Sequence, residues 1–94
     1  MNNVYAENRY TPDYLVTPGE VLKEYLAQEK LTQTELAART GILLKTINEI
    51  ITAQAAITAG MATKLERVLG RPALFWISLE RQYQEDKMRF ADRD

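Results

Sequence analysis

Cysteine and histidine are both absent from this 94-residue chain. Without cysteine there is no disulfide, no thiolate nucleophile and no zinc–cysteine site. Without histidine the commonest general base and metal ligand is missing. Carboxylates such as Glu24 and Glu35 stand without those companions, and no glycine-rich phosphate loop accompanies them. The expectation is a protein with no catalytic residue, no metal site and no cofactor. No apolar run approaches the roughly 18 residues a membrane span needs, and no signal peptide is visible. A cytoplasmic protein with no membrane partner is therefore expected. An excess of positive charge is lacking too: 12 basic residues stand against 13 acidic ones, a net charge of −1. That balance removes the usual electrostatic footprint of a nucleic-acid binder, so steering by net charge should be weak. By segment the charge is −2 over residues 1–31, zero over 32–54, +2 over 55–79 and −1 over 80–94.

What is present is ordinary for a folded domain. Hydrophobic residues make up 46% and charged residues 27% of the chain. The length fits a single domain with a modest core. The stretch that organises it is TQTELAARTGILLKTINEII, residues 32–51. Thr32 and Glu35 form an S/T-x-x-E capping box, which starts a helix at Gln33. Leu36 and Ala37 give that helix an inner face. Gly41 can take a positive φ at low cost and turns the chain. Ile47, Ile50 and Ile51 then share one stripe of a second helix. Ala37, four residues before Gly41, is small enough to let the two helices cross closely. This spacing predicts a helix-turn-helix, whose second helix enters the DNA major groove.

The rest of the chain builds around that unit. Residues 1–16 show neither the helical nor the strand period and read as an extended arm, or else as a poorly ordered terminus. Thr17-Pro18-Gly19-Glu20 combines a capping threonine, a proline at the first helical position and a glutamate at the third. The helix it opens has Val21, Leu22, Tyr25 and Leu26 as its apolar stripe. Leu31 pairs with Leu36 as a hydrophobic staple. Thr58 caps a fourth helix with Met61, Leu65, Val68 and Leu69 on its core stripe, and Gly70 stops it. Pro72 opens a fifth helix carrying Leu74, Phe75, Trp76, Leu79 and Tyr83. Residues 85–94 form a charged tail, either frayed or a continuation of that helix. The predicted fold is all-α, five helices with a helix-turn-helix domain over residues 17–84.

On the recognition helix, about 100° per residue turns Lys45, Asn48, Glu49 and Thr52 outward when the isoleucines face in. The same projection sends Leu43 inward and Leu44 to the border. Lys45 can meet a phosphate or a guanine edge, and Asn48 can read adenine bidentately. Gln33 can bond a phosphate through its amide and through the free N–H groups of its helix. The predicted DNA-binding set is Gln33, Thr34, Leu44, Lys45, Thr46, Asn48 and Thr52, on double-stranded DNA with a palindromic operator. The bland alternative for each is a solvated polar surface group. At least one of Phe75 and Trp76 is expected to complete the core, and the aromatic surplus on the fifth helix predicts a homodimer face at Trp76, Leu79 and Tyr83.

The segments VTPGEVLKEYL, LTQTELAARTG, KTINEII, AIT and LERVLGRPALFWISLERQYQE together resemble the HigA/VapI-type antitoxins. The resemblance covers about residues 12–85. The PGE-x-L opening and the FW-x-x-L segment set it apart from generic phage-repressor-like domains. It implies a five-helix domain, usually dimeric, that binds operator DNA and represses its own operon. It also implies a partner, a RelE-like toxin that cleaves mRNA on the ribosome and that this protein neutralises. The chain departs from the family pattern at Leu43 and Leu44, where a small polar cap and a polar or basic residue are usual. Loss of that cap would cost about 1 kcal/mol of helix stability. The apolar pair and the uncharged balance of residues 32–54 keep a second reading open, a protein-interaction module of the same fold with weak or no DNA binding.

Overall fold

The computed structural model describes residues 15–92. They form five helices: α1 (Pro18–Glu29), α2 (Gln33–Thr40), α3 (Leu44–Ile51), α4 (Ala59–Leu69) and α5 (Ala73–Ala91). The all-α reading and the helix count agree with this. Apart from Leu15 and Val16, the N-terminal arm lies outside the described residues.

Local chemistry sets most of the helix ends. The Thr17 side chain accepts from the Glu20 N–H at 3.1 Å, with Pro18 as the first helical residue. At α2 the capping box is complete. Thr32 Oγ1 accepts from the Glu35 N–H at 3.0 Å, and Glu35 Oε1 accepts from the Thr32 N–H at 2.8 Å. Thr58 caps α4 through the Met61 N–H at 3.2 Å. Gly41 and Gly70 end α2 and α4 in the left-handed region, at φ 79° and 85°. Lys30 ends α1 in the same region at φ 57°, without glycine's freedom.

Two helix-end contacts come from elsewhere in the chain. Pro72 offers α5 no side-chain cap, and Glu66 of α4 supplies one by accepting from the Ala73 N–H at 2.9 Å. Glu80 of α5 accepts from the Ile57 N–H at 3.0 Å, which fastens the α3–α4 loop. The α5 helix continues through the charged stretch as far as Ala91, so the helical reading of residues 85–91 is the one observed.

Leu22, Leu26, Leu36, Ile42, Ile47, Ile50, Ile57, Ala62, Leu65 and Trp76 form one buried cluster. A leucine or isoleucine fully removed from water contributes about 1.5–3 kcal/mol. α1 packs on α3 and α5, α2 on α3 and α4, and α4 on α5. Tyr25, Phe75 and Trp76 interlock edge to face, with ring centroids 4.9–5.9 Å apart. The Arg71 guanidinium lies 4.1 Å over the Phe75 ring and donates to Tyr25 Oη at 3.1 Å.

Two expectations need correction here. Trp76 is 0% exposed, so its ring belongs to the core and offers no surface to a second copy. Leu43 is 72% exposed, and Ile42 is the residue that turns inward. The projection failed because residue 43 has extended backbone, φ −61° and ψ 141°, ahead of the helix. The 100° step does not apply there.

The capping box predicts a pH effect. The hydrogen bond from the Thr32 backbone N–H holds the Glu35 carboxyl below the usual glutamate range, with smaller help from the Thr32 hydroxyl and Arg39. A lowered native pKa gives stability that is complete above the ordinary value, about 4.3, and is lost as the pH falls through the native one. Glu35→Gln keeps the box geometry and removes the charge. Its melting temperature should fall below wild type at neutral pH and converge with it as the pH falls through the lowered native pKa of Glu35. Thermal melts across that range check this, and a gap that persists in acid would refute the carboxylate's role.

Candidate nucleic-acid interface

The turn between α2 and α3 is held by Thr40 as well as Gly41. Thr40 Oγ1 donates to the Leu36 carbonyl at 2.7 Å and accepts from the Ile42 N–H at 3.1 Å. That pair directs Ile42 into the core. With Ile47 and Ile50 also buried, α3 is pinned along one side, and its opposite side faces solvent.

The solvent side carries Leu44, Lys45, Asn48 and Thr52, all exposed. Leu44 and Asn48 stand four residues apart, one turn along the same stripe. Lys45 makes no ion pair among the described residues. The Asn48 amide makes no hydrogen bond among them either, so both of its groups are open to a base edge. Thr52 is more restricted. Its hydroxyl proton is directed to the Asn48 carbonyl at 2.9 Å and the Glu49 carbonyl at 3.4 Å, so toward an incoming group the oxygen can only accept. Thr46 is half-buried at the edge of the face, and Glu49 is half-buried on its other flank.

The start of α2 contributes a second set. Gln33 is half-buried and Thr34 is exposed. Thr32 and Glu35 already satisfy each other's backbone N–H groups. The N–H groups of Gln33 and Thr34 remain as donors at the helix end. The start of α3 has no side-chain cap at all, because Leu43 has no acceptor. The first-turn N–H groups of Leu44, Lys45 and Thr46 therefore point out of the helix unpaired by it. Sequence reasoning missed this second row of donors. A leucine where a cap belongs was the available signal. With the exposed Lys45, the arrangement is suited to phosphate oxygens and base edges.

Leu43 and Leu44, 72% and 44% exposed, stand beside these polar groups. Of the predicted dimer residues, Leu79 and Tyr83 are half-buried on α5. Leu79 borders a shallow groove of about 550 Å³ that Pro72, Leu74, Phe75, Ser78 and Gln82 also line. Leu74 is 67% exposed there. Lys87 Nζ lies 5.2 Å from the centre of the Tyr83 ring.

The helix-turn-helix fold is shared with known proteins. The family described as helix-turn-helix matches residues 22–76. Virulence-associated protein I of Dichelobacter nodosus is 34% identical over 80 residues, covering 84% of this chain and 71% of that protein. The Pseudomonas aeruginosa antitoxin HigA, solved with the higBA promoter, superposes with a TM-score of 0.79 at 30% identity. That match covers 84% of this chain and 87% of HigA. Another Pseudomonas aeruginosa protein, solved with its 28-base-pair operator DNA, gives a TM-score of 0.79 at 29% identity, covering 84% of this chain and 88% of that one. The chain belongs to the helix-turn-helix family, and within it to the HigA/VapI-type antitoxins.

Proposed function

We propose that this protein is a sequence-specific repressor of its own operon and the antitoxin of a type II toxin–antitoxin module. The observation that carries this is the open row of Lys45 and Asn48 on α3, with the α2 N-terminus beside it, on a fold shared with an antitoxin solved on its promoter. In this reading α3 lies in the major groove. Asn48 reads adenine, and Lys45 with the N–H groups of Gln33 and Thr34 meets phosphate. The protein acts by binding, without an enzymatic step of its own, in the cytoplasm. Its protein partner is a RelE-like toxin that cleaves mRNA. It works as a homodimer joined through α5, where Leu74, Leu79 and Tyr83 supply the apolar surface, and two α3 helices stand about 34–36 Å apart on successive major grooves.

Fluorescence-anisotropy titration of the palindrome upstream of the gene, against scrambled DNA and at several salt concentrations, tests this. Lys45→Ala should weaken binding to all sequences alike and lower the salt slope by about one unit per site. Asn48→Ala should cost about 1–3 kcal/mol on the palindrome and little on scrambled DNA. Gln33→Ala should resemble Lys45→Ala with a smaller salt effect, because its amide is neutral. Equal binding of palindrome and scrambled DNA at low salt would sink operator recognition. It would favour the protein-interaction reading, to which the exposed Leu43 and Leu44 lend themselves.

A further inference from the structure

Among the described residues only Val16, Leu43, Leu44, Leu74 and Met88 are large apolar side chains left exposed. Two of the five are consecutive, and they stand at the leading end of the recognition helix. Neither is there to build the fold. The core closes over Ile42 and Ile47 on either side of them, and Leu43 leaves the α3 N-terminus without a side-chain cap. Leucine has no donor or acceptor, so it cannot contribute to a hydrogen-bonded readout. The major groove offers one apolar feature that distinguishes bases, the C5-methyl group of thymine. Helix-turn-helix proteins place the first residues of this helix against base edges.

We propose that Leu43 and Leu44 read thymine by methyl contact. They set the sequence preference of the half-site together with Asn48. This rests on the operator reading above and adds a definite base to it. Leu44 lies one turn before Asn48 on the same stripe, and Lys45 between them is exposed toward the same side. An amide that reads adenine and a leucine that covers a methyl then act on neighbouring A·T pairs. The placement also accounts for a recognition segment whose formal charges cancel. Discrimination here comes from apolar fit and an amide, while the exposed N–H groups and one lysine position the backbone.

The test replaces thymine by uracil in the palindrome, which removes the methyl and leaves every hydrogen-bonding edge in place. Wild-type protein should bind the uracil duplex about fourfold more weakly for each methyl that a leucine covers, from the transfer free energy of one buried methyl. Leu44→Ala and Leu43→Ala should each bind the thymine duplex more weakly than wild type and lose part of the thymine–uracil difference, and the double variant should lose all of it. Both side chains are exposed, so circular dichroism melts of these variants should match wild type. Retained preference for the palindrome over scrambled DNA, with equal binding of thymine and uracil duplexes, overturns the methyl contact and leaves operator binding standing. A thymine–uracil difference that persists undiminished in the double leucine variant assigns the methyl effect to DNA shape and also overturns it. Absence of any preference for the palindrome overturns operator recognition itself, and this proposal with it.

Discussion

Gly19→Ala should lower the melting temperature by more than about 10 °C, the largest drop for the addition of a single methyl group anywhere in the protein. A Cβ at Gly19 would lie 2.7 Å from both the Cα and the carbonyl oxygen of Ile51, and closer still to the carbonyl oxygen of Ile50. All of these are backbone atoms, so no side-chain rotation relieves the overlap. Overpacking usually costs about 1–3 kcal/mol, and a clash with fixed backbone belongs at or beyond the upper end. A domain of this size loses about 4–8 °C per kcal/mol. The consequence reaches function directly. Gly19 is where the start of α1 meets the end of α3, so a shift there moves the recognition helix relative to the rest of the domain. DNA binding by the folded fraction should fall as well. Gly60→Ala is the matched control. Its added Cβ would meet only Thr58 Oγ1, at 4.0 Å, and the position is helical. That variant should melt at or slightly above the wild-type temperature. Equal melting of Gly19→Ala and wild type would mean that α1 and α3 are not in such close approach.

The contrast between Gly19 and Gly41 explains how much of this molecule could be read from its residues. Gly41 is required by its own backbone conformation, φ 79°, with open space around it. A requirement of that kind is local, and a glycine after a capped, amphipathic run announces it. The same holds for Thr17, Thr32 with Glu35, Thr58 and Gly70, whose bonds span four residues or fewer. Gly19 is required by a neighbour more than 30 positions away, and nothing within Thr17-Pro18-Gly19-Glu20 distinguishes it from an ordinary first-turn residue. The bonds that Glu66 and Glu80 accept from the Ala73 and Ile57 N–H groups are hidden for the same reason, since each joins groups that only the packed fold brings together. The candidate interface was legible in part. Lys45 and Asn48 follow from the helical period once Ile47 and Ile50 are inward. Leu43 does not, because the period ends where the helix does. The hydrogen bonds that direct Thr52's proton back to its own helix are also beyond a face-by-face reading.

Trp76→Ala should remove about 3–5 kcal/mol, a large share of the roughly 5–15 kcal/mol available to a small domain. The ring is 0% exposed and lies edge-on to Tyr25 and Phe75, at centroid distances of 5.5 and 4.9 Å. Its deletion leaves a cavity walled by two rigid rings, which cannot collapse into it as a cluster of aliphatic chains could. Trp76 Nε1 has no hydrogen-bond partner among the described residues although it is buried. Burying a donor without a partner costs about 1–3 kcal/mol. Trp76→Phe removes that donor along with part of the ring, so its loss should be clearly smaller than that of alanine. Urea unfolding of the two variants beside wild type measures both differences. The same experiment separates a core role from an interface role. If Trp76 acts inside one domain, each variant's loss of stability relative to wild type is the same at low and high protein concentration. In the proposed homodimer, substitution of the exposed Leu74 by aspartate should instead change the oligomeric state seen by light scattering while each domain stays folded. A Trp76→Ala variant that unfolds like wild type, and differs only in its association, would return the ring to the surface of α5 and overturn the core assignment.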